Sequence, residues 1–210
     1  MAACDLALLE RWLTGWSRSR GVALPYHDAG GLTVDVGFPD QLRRHVFVDA
    51  GAALQACAAA IHTPCVYLKA AVHADVLRRA LPARWRVDGP LYLMTHAGPM
   101  APGPALPAGF SMDRTVENNG YLIRILAAGG VTAASGRIDV HNGTAVFDRI
   151  ATHEDYRRQG LASALMLALD GLAVEAGVTE RLLSATEAGA ALYPRLGWQH
   201  LAPYASAVLA

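Results

Sequence analysis

The 210 residues contain no run approaching the roughly 20 consecutive apolar residues that a membrane-spanning helix requires, so no such span is expected. Excess charge is missing too. Lys plus Arg is 18 and Asp plus Glu is 18, a formal net charge of zero that removes any global attraction to nucleic acid or an anionic membrane. Cysteine is scarce: Cys4, Cys57 and Cys65 cannot all pair within one chain and show no metal or redox spacing, which fits a reducing compartment. The first charged side chains are the acids Asp5 and Glu10, unlike the basic start of a secretory signal. The 8 histidines, among them His27, His45, His62, His73 and His96, are too scattered for a metal-ligand pattern such as His-x3-His. The expectation is a cytoplasmic chain that binds no metal, nucleic acid or membrane.

Apolar material is abundant. Hydrophobic residues make up 53% and charged residues 17%, enough for a packed core and against disorder. Leu6, Leu9, Leu13 and Trp16 recur at spacings of three and four, which predicts an amphipathic helix over 5–18. Short strands are expected at 32–36, 45–49, 65–69, 85–87 and 91–95, with Ala-rich helices at 51–61 and 72–81. Trp12, Trp16, Trp85 and Trp198 read as core, as do Met94 and His96 at the end of a strand. The stretch 98–109 carries four prolines and three glycines, a density that helices and strands exclude. It divides the chain into an α/β lobe (1–100), a linker (101–109) and a second domain (110–210).

The second domain begins with a strand at 110–114. Strands at 121–127, 131–141 and 145–152, joined by the Gly129-Gly130 and Asn142-Gly143 turns, predict a three-stranded meander. Leu161, Leu165, Leu169 and Leu172 give one face of a helix that Gly177 stops. A strand at 181–185, a helix at 187–196 and a closing hairpin at 198–209 complete the reading.

The strand-loop-helix passage around residues 146–162 carries the chemistry. Backbone N–H groups at a helix start have no partners within the helix, and the macrodipole adds positive potential there. Gly160 and Ala162 have little or no side chain, so a pyrophosphate can approach the main chain closely. Hydrogen bonds to a charged group contribute about 1.5–3 kcal/mol each, enough for a few to anchor a nucleotide.

The pattern Arg157-Arg-Gln-Gly160-Leu-Ala162 resembles the Gln/Arg-x-x-Gly-x-Gly/Ala signature of the GNAT superfamily of acyl-CoA-dependent N-acyltransferases. The strand before it and the segment Ala190-Ala-Leu-Tyr-Pro-Arg-Leu-Gly-Trp198 resemble the same family, so the resemblance covers about half the chain. It implies an α/β fold: a mixed, mostly antiparallel sheet with flanking helices. Main-chain groups of Ile150, Ala151 and Thr152 would hold pantetheine and the acetyl carbonyl of acetyl-CoA. Amides of Arg158, Gln159, Gly160, Leu161, Ala162 and Ser163 would hold its pyrophosphate. Thr186 stands where the family often has a pantetheine-binding Asn. Tyr193 stands at the position of the usual general acid, and Asp148 is the candidate base, with Glu154 and His153 as alternatives.

The chain departs from the family in one respect. Between its first and second strands the family has two helices that wall the acceptor site, whereas here there are only residues 115–120. The N-terminal lobe is expected to supply that wall, either as a degenerate half of the same fold or as a separate α/β domain. The expected reaction is transfer of acetyl from acetyl-CoA to a primary amine of a small molecule, by a monomer or a homodimer. The alternatives are a protein or peptide N-acetyltransferase, and a CoA-binding sensor without turnover.

Overall fold

The computed structural model describes residues 4–103 and 105–209. Helix α1 (Leu6–Arg20) starts where the Asp5 carboxylate accepts the Leu8 N–H at 2.8 Å and stops at Gly21, whose φ of 66° only glycine adopts readily. The N-terminal half continues with strands β1 (Tyr26–Asp28), β2 (Gly31–Phe38) and β3 (Gln41–Phe47), helix α2 (Ala52–Ala60), strand β4 (Val66–Ala70), helix α3 (Ala74–Ala80), and strands β5 (Trp85–Val87) and β6 (Leu91–Ala97). After the Pro/Gly-rich stretch, which forms no helix or strand in its described residues, come β7 (Ser111–Glu117), β8 (Gly120–Leu126), β9 (Thr132–His141) and β10 (Thr144–Thr152). The chain ends with helix α4 (Leu161–Glu175), β11 (Glu180–Thr186), the short helix α5 (Glu187–Leu192), a 3-10 turn (Tyr193–Leu196) and β12 (Gln199–Leu209). Among the described residues no helix is long and apolar enough to cross a membrane.

All strands join one sheet, ordered β1-β2-β3-β4-β12-β6-β11-β10-β9-β8-β7, with β5 beside β12. Pairing is antiparallel except at β3–β4 and β10–β11, each a parallel pair joined through a helix. The N-terminal half therefore repeats the connectivity of the C-terminal half: antiparallel hairpin, helix, parallel strand. The two halves also exchange strands. β6 lies between β11 and β12, although sequence composition places it on the far side of the linker. The tail of β12 reciprocates, with Ala205–Val208 on β4 and Ala207–Leu209 on β5. The expected closing hairpin is thus a single long strand. Its residues contain no glycine or Asn-Gly pair to reverse the chain, and a bulge between His200 and Ala202 is its only irregularity against β6.

Side chains alternate across the sheet. Ala145, Phe147 and Leu183 point to α4 on one face, while Val146 and Leu182 point to α1 on the other. Helix α1 also reaches Leu32, Val34 and Val46 of the N-terminal half, so it wedges under both halves at once. Trp12 and Trp16 are buried in this cluster, Trp85 under the N-terminal half and Trp198 beneath α4. Met94 is core, and the His96 ring packs edge-on to Trp198. The linker is docked: the Met100 N–H donates to Asp170 at 2.8 Å, and the same carboxylate takes the buried Arg181 guanidinium.

Gly15 lets α1 settle on β10, since a Cβ there would collide with the Val146 side chain. Gly15→Ala gains about 0.8–1 kcal/mol of helix propensity but overpacks a buried contact at a cost of about 1–3 kcal/mol. The clash should win, and the melting temperature should drop by several degrees in a calorimetric scan. A variant more stable than the parent would contradict the seating of α1.

Candidate active site

Strands β10 and β11 pair only from Thr144↔Glu180 to Phe147↔Leu183 and then part. The parting coincides with a bulge in β10 between Asp148 and Ala151, where Arg149 takes a left-handed φ of 52°. Beyond it Ala151 and Thr152 pair with Ser135 and Ala134 of β9, leaving the other edge of β10 without a strand. A cavity of about 150 Å3 fills the gap, lined by Asp148, Ile150, Ser184, Thr186 and Tyr193 among others. An extended ligand arm fits such a slot because the free edge offers a ladder to pair with.

At the far end of β10 the chain makes a short 3-10 turn (Glu154–Tyr156) and then the exposed run Arg157–Gly160. Arg158 and Gly160 both have left-handed φ, 63° and 78°, which bends the loop sharply into α4. No side chain caps α4, and its first intrahelical bond is donated by Ala164 to the Gly160 carbonyl. The amides of Leu161, Ala162 and Ser163 thus have no helical acceptor. A Cβ on Gly160 would meet nothing within 4 Å, so the approach is open. Arg157 and Arg158 form no ion pair among the described residues, which leaves their charge available to an anion. Free amides at a helix start beside two unpaired arginines fit an anion such as a diphosphate.

Tyr193 begins the 3-10 turn after α5 and is buried against the cavity, its ring tilted 47° to Trp198 at 6.3 Å. Gly189 makes room for it, since a Cβ there would lie 2.8 Å from the phenol ring. Burial pushes the phenol up to about 12. Thr186 lines the cavity and caps α5, accepting the Gly189 N–H at 3.4 Å. Its hydroxyl therefore organises the helix that carries Tyr193.

Asp148 faces the opposite side of the sheet from Phe147, toward α1. Both its oxygens are taken by Arg20, at 2.6 and 2.8 Å. Arg20 in turn stacks on Trp16 at 4.5 Å, and Arg44 of β3 stacks on the same ring at 3.6 Å. His153 and Glu154 are exposed on the loop before α4 and do not line the cavity. His153 accepts the Asp155 N–H at 3.4 Å and caps the 3-10 turn. Among the described residues no cluster of His, Cys, Asp or Glu could hold a metal.

Helix α1 lies across β8, β9 and β10 on the face opposite α4. Strands β7 and β8 are joined only by the tight turn at Asn118–Asn119. Besides the Arg20–Asp148 pair, α1 is tied to the C-terminal half through Arg18 on Asp139 at 3.0 Å and Arg11 on Glu180 at 2.8 Å. Arg137 donates to the Ser19 carbonyl at 3.0 Å. Sequence reasoning missed Arg20, Arg44 and Gly189. None sits in a local motif, and the two arginines reach the site only through contacts between distant segments.

The family model for the acetyltransferase (GNAT) domain matches residues 117–200. No curated protein matches by sequence. Among solved structures, a GCN5-related N-acetyltransferase from Kribbella flavida aligns with a TM-score of 0.67 at 17% identity, over 99% of this chain and 96% of that one. A GCN5-related N-acetyltransferase-like protein from Streptococcus suis aligns at 0.57 and 16% identity, over 97% of this chain and all (100%) of that one. A tandem GNAT protein from the clavulanic acid biosynthesis pathway aligns at 0.50 and 14% identity, over 69% and 64%. At these identities the likeness is one of fold, and with the first two it spans both halves of the sheet. The family match covers the parted strands, the uncapped turn and Tyr193: residues 117–200 match a GNAT acetyltransferase domain, and that match, on a fold shared with N-acetyltransferase structures, supports an acyltransferase.

Proposed function

We propose that the protein transfers acetyl from acetyl-CoA to a primary amine of a small molecule. The parting of β10 and β11 beside Tyr193 carries this reading. Pantetheine would enter the slot and pair with the free edge of β10 at Ile150, Ala151 and Thr152. The diphosphate would rest on the amides of residues 158–163, with Arg157 and Arg158 nearby. Helix α1 would wall the acceptor side in place of the two helices missing near residue 118. A small acceptor suits a site walled on that side.

The reaction is direct. The amine lone pair attacks the thioester carbonyl, the C–N bond forms, and the C–S bond breaks with its electron pair on sulfur. An α-amine with a pKa of ~7.8 is over a tenth free at pH 7, so a fraction arrives ready to attack. Its proton leaves to water as the tetrahedral centre collapses. Tyr193 then donates a hydrogen bond to the departing sulfur. With the phenol at about 12 and a thiol at ~8.5, full proton transfer is uphill by about 5 kcal/mol. Tyr193 therefore stabilises the thiolate by hydrogen bonding, and solvent completes the protonation. Asp148, with both oxygens on Arg20, is better placed to fix α1 against the slot than to take the amine proton.

Acetyl-CoA at a hundredfold excess over its Kd should stabilise the native state by about 2.7 kcal/mol, visible as a raised melting temperature. Gly160→Val should lose that shift, because valine resists the left-handed φ and blocks the approach to the amides. A full shift in the variant would remove the diphosphate site from this turn.

Tyr193→Phe should keep the fold and the KM for acetyl-CoA while kcat falls about 10²–10⁴-fold. Because the phenol stays protonated until about pH 12, the wild-type rate should show no loss attributable to it between pH 8 and 10.5. A wild-type kcat in the variant would make Tyr193 a packing residue only.

Asp148→Asn should strand the Arg20 guanidinium and cost about 3 kcal/mol of stability. It should lower the rate by a similar factor at pH 7 and pH 9.5. If stability is kept and the loss vanishes at pH 9.5, where an α-amine is already neutral, Asp148 is the base instead.

A further inference from the structure

On the α1 face of the sheet, between the two halves, lies a second cleft of about 480 Å3. It shares Thr186 with the slot between the parted strands. Its lining includes Arg44 from β3 and Lys69 from β4, which are 6% and 8% exposed, and Ser206 from β12. Lys69 donates to the Ser206 hydroxyl at 2.8 Å, and one Arg44 amine donates to the Gln41 side chain at 3.2 Å. The Arg44 Nε and the Gln41 amide nitrogen are buried with no partner. Among the described residues no carboxylate lies within 4.0 Å of either cation. Asp88 and Glu187 also border the cleft, but Asp88 is a half-buried residue beside Arg86 at 3.6 Å, and Glu187 is exposed.

Buried cations without a counter-ion are costly, and structures normally pair them. The strain is visible in both groups: burial pushes Arg44 down to about 10, and burial with the neighbouring Arg44 charge pushes Lys69 well below its ordinary value. An aromatic ring under Arg44 and a hydroxyl on Lys69 hold the two side chains in place without neutralising them. The unused donors therefore await an acceptor from outside the chain.

We propose that this cleft is the anion pocket of the acceptor, taking the carboxylate or phosphate of a small amine whose amino group reaches the thioester past Thr186. The inference rests on the acyltransferase reading above and narrows it to amines that carry an anionic group. In that pose the anion meets Arg44, Lys69 and the Gln41 amide, while the exposed Glu187 beside Thr186 favours the ammonium end. The CoA phosphates have their own site at the start of α4, on the other face of the sheet.

The test is calorimetric titration of the full chain, with and without saturating CoA so that no reaction runs. Two matched pairs of probes are used: 3-aminopropanoate against propylamine, and 2-aminoethyl phosphate against ethanolamine. At least one anionic probe should bind tenfold or more tightly than its neutral counterpart, and the pair that does so identifies the anion. Arg44→Met and Lys69→Met should each reduce that preference about tenfold, the loss of one hydrogen bond to a charged group, with CoA affinity unchanged. Equal binding within both pairs would overturn the proposal on the wild type alone, whether or not either variant folds. So would a preference that survives both substitutions. Failure of CoA to bind would instead sink the acyltransferase reading, and the titration in its absence would still decide the pocket.

Discussion

Strands β10 and β11 are held together as far as Phe147 and Leu183 and held apart beyond them, and the arrangement of the site depends on that change. Two groups of side chains enforce it from opposite faces. On the α4 side, Phe147 packs edge-on against Trp198 at 5.1 Å, and Tyr193 tilts against the same indole. On the α1 side, Arg20 grips Asp148, the first residue of β10 past the last strand pair. The bulge at Arg149 lets the strand turn its free edge into the gap. An edge with unpaired main-chain groups is tolerable only where water or a ligand can satisfy it, which gives the opening its use.

Helix α1 joins the two halves physically. Its apolar stripe contacts both halves of the sheet, and its arginines reach Glu180, Asp139 and Asp148 along one side. Trp16 is core in one respect and a platform in another, since Arg20 and Arg44 both stack on it. A cation over an aromatic face gains about 0.5–2 kcal/mol, a modest amount that nonetheless fixes where each guanidinium points. The direction of those two side chains puts Arg20 on Asp148 and Arg44 at the wall of the cleft between the two halves.

Local signals were legible in the sequence. The spacing of Leu6, Leu9, Leu13 and Trp16 marks the helix read at 5–18, which runs as α1 from Leu6 to Arg20, and the turn at 157–160 and Tyr193 lie in short motifs. The strand at 85–87 stands as read, while the short β1 at Tyr26–Asp28 was not expected. What stayed hidden depends on pairing across long separations. Nothing near Leu91 says that β6 belongs beside β11, and nothing near Lys69 says that Ser206 will stand opposite. The reading of 198–209 as a hairpin failed for the same reason. A run of that length looks like two strands until another half of the sheet is there to receive its second part.

The exchange of β6 and β12 also sets an order of events. β6 emerges during synthesis long before its partners β11 and β12, and β4 and β5 must wait for Ala205–Leu209 to join them. Neither half can complete its own sheet until β12 has been made. The chain is therefore built to fold after that point as one unit, with contacts of high sequence separation that slow the process. Until then the nascent protein presents unpaired strand edges, the kind of surface that chaperones are needed to cover.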